Sequence, residues 1–165
     1  MYPSASEVSV ITVNWNGRRH LESLLPSLQP LGAREIIVVD NGSTDDSVAY
    51  LRENFPEVRI LQNQVNRGFS QPNNLAAERA RGRVLALINN DMRCHPDWIE
   101  AALPLLDRCP CVGSRILDWT GTRIDYNGSS LQYLGFALQR DIGRLLEDVR
   151  SAPDRVLFPC GGAML

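Results

Sequence analysis

Four short clusters of amides, carboxylates and glycine carry the chemistry in this sequence: Asn14-Trp15-Asn16, Asp40-Asn41-Gly42, Asn66-Arg67-Gly68 and Asn89-Asn90-Asp91. Such residues accept and donate hydrogen bonds to polar ligands. Asn73 and Asn74 form a further amide pair at the start of an alanine-rich segment, where a polar ligand and a solvated first turn are both compatible readings. For Asp40 and Asn41 the plain alternative is a turn. One cluster would mean little; several brought to one edge of a sheet would make a shared binding site.

The elements that must position these clusters follow from hydrophobic patterning. Ile36-Ile37-Val38-Val39 is a β-branched run without alternation, which predicts a strand buried on both faces. It ends in Asp40-Asn41-Gly42-Ser43-Thr44-Asp45. Gly42 tolerates unusual backbone angles, and Ser43 or Thr44 is placed to cap a helix carrying Val48, Leu51 and Phe55. Val8–Val13 predicts an earlier strand, followed by a helix over 18–28 from the spacing of Leu21, Leu24, Leu25 and Leu28. Pro26 is expected to weaken its last turn. Residues 1–7 read as a frayed start. Val58–Leu61 predicts a third strand. Ser70-Gln71-Pro72 opens a helix that ends near Arg81-Gly82. Arg83–Ile88 predicts a fourth strand, Pro96 begins a helix, and 111–117 reads as a fifth strand. Asp125–Gly128 reads as a turn, 141–150 as a short helix or loop, and 156–158 as a final strand before Gly161-Gly162-Ala163-Met164.

Strand and helix alternate through at least Leu117, so the fold class is α/β, a mostly parallel sheet covered on both faces. In such sheets the carboxyl ends of the strands share one edge, where ligands bind. The 165 residues fit one domain, 1–165, and 44% hydrophobic with 22% charged is ordinary globular composition. The net charge of −2 gives no support for nucleic acid as a partner. All 17 basic residues are arginine, which removes lysine Schiff-base chemistry and the lysine-dependent P-loop, and suits phosphate. Cys94, Cys109, Cys111 and Cys160 match no zinc spacing and read as free thiols of a reducing compartment. No apolar run is long enough to span a membrane. No G-x-G-x-x-G follows the first strand, and no G-x-S-x-G elbow is present.

In order along the chain, Val10–Gly17, Val38–Asp45, Asn66–Ser70 with Asn74, and Leu87–Asp91 resemble the opening motifs of glycosyltransferase family 2 enzymes with the GT-A fold. The asparagine-rich style resembles the rhamnosyltransferase-like members. Gly161–Met164 is similar to the family's small-residue segment beside the donor sugar. The resemblance implies a Rossmann-like three-layer sandwich that binds a dTDP-, UDP- or GDP-linked sugar and an inverting transfer to a hydroxyl of a glycan or lipid-linked acceptor. It implies that Val13, Asn14 and Asn16 line the nucleotide pocket and that Asp40 accepts a hydrogen bond from the base. The resemblance likewise implies that Asn41, Gly42, Arg67, Gly68, Asn74 and Asn90 complete the nucleotide site, and that Asp91 and Asn89 would hold Mg²⁺ or Mn²⁺, with Asn89 standing where the family's metal motif has its first aspartate. The family's acidic pair that supplies the general base is expected beyond Leu165. The chain is therefore expected to be a donor-binding half, inactive alone, cytoplasmic or peripheral at the inner face of the membrane, with homodimerisation through its exposed apolar surface. Two further readings stay open: a non-catalytic nucleotide-sugar-binding or assembly module, and a sugar nucleotidyltransferase, for which Gly17-Arg18-Arg19 is a poor phosphate loop.

Overall fold

The computed structural model describes residues 3–150, 152–156 and 159–165. Its centre is a five-stranded sheet built from β1 (Val8–Asn14), β2 (Glu35–Asn41), β3 (Arg59–Asn63), β4 (Val84–Ile88) and a short β9 (Ala163–Met164), in the order β3-β2-β1-β4-β9. The first four strands are parallel; β9 runs antiparallel to β4. The order reverses between β1 and β4, which is where an open α/β sheet forms a crevice at its carboxyl edge.

Alternation along the strands divides the core. Val8 and Val10 of β1, Val38 of β2 and Ala86 and Ile88 of β4 face a large cluster with Leu21, Leu24, Leu25 and Leu28 of α1 (Arg18–Leu28). Leu51 of α2 (Ser47–Asn54) and Ile99 of α4 (Trp98–Ala102) belong to the same layer. Ile11, Ile37, Val39 and Leu61 face the other way, onto Ala76 of α3 (Ser70–Arg79). The β2 run is thus buried from both sides, as its lack of alternation predicts. The alanines of α3 let that helix lie close to the sheet.

Several boundaries differ from the sequence expectation. Residues 5–7 form a 3₁₀ turn closed by a Ser4–Glu7 capping box rather than a frayed end. α1, by contrast, keeps the bounds 18–28 that its leucine spacing predicts; it runs through Pro26, and its C-cap leads directly into a 3₁₀ turn at Gln29–Leu31. α2 begins at Ser47, later than a cap at Ser43 or Thr44 would place it, because those two residues turn back toward Asn16. The fifth strand shrinks to β5 (Ile116–Leu117), which pairs with β6 (Ile124–Tyr126) outside the main sheet. Upstream, Val112 instead exchanges backbone hydrogen bonds with Leu165, at 2.8 and 2.9 Å. β7 (Ser129–Leu131) and β8 (Ala137–Gln139) form a second small hairpin. Within 141–150 the helical content is one 3₁₀ turn, Leu146–Asp148. The strand expected at 156–158 includes Leu157 and Phe158, which lie outside the described residues. All four cysteines are free, and no helix among the described residues is long and apolar enough to cross a membrane.

Candidate functional site at the switch point of the sheet

Asn14 and Asp40 end adjacent strands and are register partners. Both are buried, at 0% and 2% exposure. A buried carboxylate requires donors, and Asp40 has two: Asn14 Nδ2 reaches Oδ1 at 3.3 Å, and the Ser43 amide reaches Oδ2 at 3.2 Å. Asn14 Oδ1 in turn accepts from Asn90 Nδ2 at 3.0 Å, which ties the end of β4 to the end of β1 across the switch point. Asn16 has a φ of 50°, a backbone state that asparagine tolerates better than most residues. Its amide donates to Ser43 Oγ at 2.9 Å, and its Oδ1 accepts from the Thr44 amide at 2.7 Å. Ser43 and Thr44, which the sequence offers as capping residues within the Val38–Asp45 stretch, therefore belong to the site's framework.

A second network lies on the opposite face of the sheet. Asn41 Nδ2 donates to Asn66 Oδ1 at 3.0 Å and to the Gly68 carbonyl at 2.9 Å. Its Oδ1 accepts from Asn63 Nδ2 at 3.0 Å and from the Arg67 amide at 3.1 Å. The Asn41 amide is fully engaged in holding the loop that carries Arg67 and Gly68. Asn66 belongs to the 66–68 cluster that the sequence singles out, whereas Asn63 enters only through the parallel register that pairs it with Asn41 across β2 and β3. Gly42 sits between the two networks with φ +81°, and a Cβ there would stand 2.7 Å from the Val65 carbonyl carbon. Only glycine lets the β2 turn and the 65–68 loop meet.

The remaining candidates are placed less tightly. Val13 is half-buried and packs on the α3 side. Arg67, Gly68 and Asn74 are exposed, and among the described residues no side-chain hydrogen bond ties Asn74 to either network. Asn89 is half-buried and its amide donates to the Gly162 carbonyl at 2.8 Å, which brings the small-residue segment beside the end of β4. Asp91 is exposed and lines a cleft of about 800 Å³ between the β4 end and the β5–β6 hairpin. Near the α2 start, burial pushes the Asp45 carboxyl up, but hydrogen bonds from Ser47 and the Arg18 amide outweigh it and hold it below its usual range.

Among the described residues no group of three or more His, Cys, Asp or Glu side chains is assembled for a metal. The donors at the β4 end, Asp91 and Asn89, are oxygens. Mg²⁺ is commonly held by one or two carboxylates, with waters and substrate phosphates completing its shell. That donor chemistry fits a hard divalent cation arriving with a diphosphate.

The model of the family described as glycosyl transferase family 2 matches residues 9–162. The uncharacterized glycosyltransferase YibD of Escherichia coli is 34% identical over 110 residues, covering 64% of this chain and 32% of that protein. The glucosyl-dolichyl phosphate glucuronosyltransferase of Haloferax volcanii is 27% identical over 158 residues, 88% of this chain and 50% of that protein. The chain thus spans half or less of the length of these curated relatives. Among solved structures, the mannosyltransferase PcManGT from Pyrobaculum calidifontis, in complex with GDP-Man and Mn²⁺, is similar at a TM-score of 0.59 and 23% identity, over 65% of this chain and 34% of its own. That likeness is one of fold, the GT-A arrangement of a mostly parallel sheet between helices. With the family model covering nearly its whole length, the chain belongs to glycosyl transferase family 2.

Proposed function

We propose that this chain is the donor-binding part of an inverting, rhamnosyltransferase-like glycosyltransferase. It would take a sugar from a dTDP-, UDP- or GDP-linked donor and deliver it to a hydroxyl of a glycan or lipid-linked acceptor. The observation that carries the reading is the Asn14–Asp40–Asn90 network at the switch point, one residue from the exposed Asp91 carboxylate. The base end of the nucleotide lies over β1 and β2, near Val13, Asn14, Asn16 and Asp40. Asn41 and Gly42 act through the 66–68 loop, whose Arg67 guanidinium meets the phosphates with Gly68 and Asn74. Asp91, with Asn89, holds Mg²⁺ or Mn²⁺, and a cation so held offsets the charge that develops on the departing diphosphate.

Support for these finer points is by likeness. The Haloferax relative is named for a lipid-linked substrate and the Pyrobaculum structure holds a nucleotide sugar with Mn²⁺. On this reading the base that deprotonates the acceptor hydroxyl comes from the part of the relatives that this chain does not span, and residues 9–162 alone transfer little or no sugar.

The test is calorimetric titration with UDP, dTDP and GDP, each with and without Mn²⁺, for the chain and for Asp91→Ala. One nucleotide is expected to bind in a metal-dependent way, with affinity falling about tenfold or more in Asp91→Ala, the loss of one charged contact. Because Asp91 is exposed, the substitution leaves the fold intact. A folded chain that binds none of the three overturns the reading.

A further inference from the structure

Large apolar side chains stand exposed together on one element, the β7–β8 hairpin: Leu131, Tyr133, Leu134, Phe136 and Leu138. Tyr133, in the turn, is fully exposed, and Leu134 beside it is 73% exposed. From Asn127 to Gln139 the sequence carries no charge. Single exposed apolar residues are ordinary, but a contiguous uncharged patch marks a surface that meets something apolar. The hairpin pairs with no other strand, and none of its residues lines the cleft beside Asp91 or joins either amide network.

Its base is fixed to the body of the chain. The Arg140 amide donates to the Gly128 carbonyl at 2.9 Å, just below the Ser129–Gln139 pair. Ser129 is buried, and its Oγ lies 3.1 Å from the Tyr126 hydroxyl. A Cβ at Gly128 would collide with Val156 Cγ1, so the base packs closely on residue 156. The tip is closed on itself: the Gln132 amide donates to the Phe136 carbonyl at 2.8 Å and the Gly135 amide to the Gln132 carbonyl at 2.9 Å. Backbone groups satisfied within the turn lower the cost of moving it into an apolar medium.

The pleat decides what kind of medium fits. Leu131 pairs with Ala137 on one face, and Leu138 pairs with Ser130 on the other. Tyr133, Leu134 and Phe136 stand between the two strands, in the turn. A flat partner surface would cover one face of such a hairpin and leave the other wet. Apolar groups on both faces and at the tip match a medium that surrounds the tip, as the interfacial layer of a bilayer does. Tyrosine is itself enriched at that layer.

The base of the hairpin carries the complementary charge. An open hollow of about 550 Å³ is lined by Ser129, Ser130, Leu131, Arg140, Arg155 and Val156. Guanidinium groups with hydroxyls beside them are donors suited to a phosphate. Asp154, the acid beside the hollow, is taken up by Arg140 at 2.9 Å. The Arg155 guanidinium has no partner among the described residues. At about 3.4 Å per residue, the three residues of β8 set Arg140 about 10 Å behind the turn. Apolar groups of interfacial segments reach about 5–10 Å into the boundary between headgroups and acyl chains. The turn and the hollow are therefore spaced as the acyl boundary and the lipid phosphate are.

We propose that the β7–β8 hairpin docks this chain on an anionic membrane surface, with Tyr133, Leu134 and Phe136 inserted at the acyl boundary and Arg140 and Arg155 on a lipid phosphate. The net charge of −2 supplies no general attraction to such a surface, so the contact is local to this element. The inference does not rest on the donor reading, because the two use different residues.

Flotation through a sucrose gradient tests it, with vesicles of phosphatidylcholine alone and of phosphatidylcholine and phosphatidylglycerol in equal parts. The chain is expected to float with the mixed vesicles and more weakly with phosphatidylcholine. Leu134→Ser combined with Phe136→Ser should weaken partitioning about tenfold or more on both, since burying one such side chain is worth about that factor. Both positions are exposed, so the unfolding temperature should not fall. Arg155→Gln should weaken binding about fivefold on the mixed vesicles only, the scale of one basic residue at an anionic surface. Phe136→Trp should add emission that brominated acyl chains quench.

A folded chain that floats with neither vesicle overturns the inference, and so does flotation that the serine substitutions leave unchanged. A dimer seen by light scattering that those substitutions dissociate, without flotation, assigns the hairpin to a second copy of the chain and overturns the membrane. Flotation that needs the tip but is indifferent to phosphatidylglycerol and to Arg155→Gln overturns the phosphate site.

Discussion

Asn90 donates its side-chain amide to Asn14 Oδ1 at 3.0 Å, and the two residues, 76 positions apart, stand on opposite sides of the point where the strand order reverses. This bond closes the crevice floor between β1 and β4. It also explains Gly17, where a Cβ would collide with Asn90 Nδ2 and stand 2.6 Å from Asn14 Oδ1. Gly17→Ala should therefore separate the two amides. The expected outcome is a stability loss of about 1–3 kcal/mol, the cost of stranded buried polar groups, and weaker nucleotide binding. Urea denaturation and calorimetry on the same variant measure both.

Asp40 accepts one hydrogen bond on each carboxylate oxygen, from Asn14 Nδ2 and from the Ser43 amide. Asp40→Asn keeps the shape but has one acceptor oxygen, and in either orientation its NH₂ faces one of those donors. The variant should lose about 1–3 kcal/mol in urea denaturation through that buried mismatch. A variant as stable as the parent would show that the Ser43 turn is not held by this carboxylate.

Glu35 joins three segments at the opposite end of the sheet. Its Oε1 accepts from Ser9 Oγ at 2.8 Å and the Arg81 amide at 2.6 Å, and its Oε2 from Arg59 at 3.2 Å. Burial pushes its carboxyl up, but these donors outweigh burial and bring it below the ordinary value of 4.5. A group whose pKa is depressed by folding stabilises the fold above its unfolded pKa and loses that contribution as pH falls through its folded pKa. Glu35→Gln should cost about 1–3 kcal/mol at pH 7. The gap between parent and variant should close as denaturation curves are taken below pH 4.5. A gap that stays constant into the acid range would refute the charge's part in it.

Burial pushes the Cys94 thiol up to about 12, while Cys109 and Cys111 are exposed. At pH 8 the Cys94 thiolate is scarce, and the thiolate is the reactive form. Labelling with a chromogenic disulfide should modify exposed Cys109 first, Cys111, whose thiol burial also pushes up, more slowly, and Cys94 only on unfolding, as peptide mapping of quenched samples would read. Prompt labelling of Cys94 in the folded chain would contradict the packing around α4.

What the sequence determined by itself was local. The β-branched run ending in Asp40, the leucine spacing of α1 and the amide clusters at strand ends are carried by adjacent residues, so patterning and turn chemistry were enough to predict β1 to β4 and to bring Asn14, Asp40 and Asn90 forward together. The motifs also pointed to the family that the comparison then showed. What only the tertiary structure decided was which polar group meets which. The Asn41 amide is taken up by Asn63, Asn66, Arg67 and Gly68 through a parallel register that no local spacing encodes. β9 pairs antiparallel with β4 although its two residues, Ala163 and Met164, carry no strand signal of their own. The exposure of Trp119 was equally hidden. An indole in a sequence reads as core by default, and only the turn that the Asp118 carboxylate ties to the Thr122 amide holds it in the open.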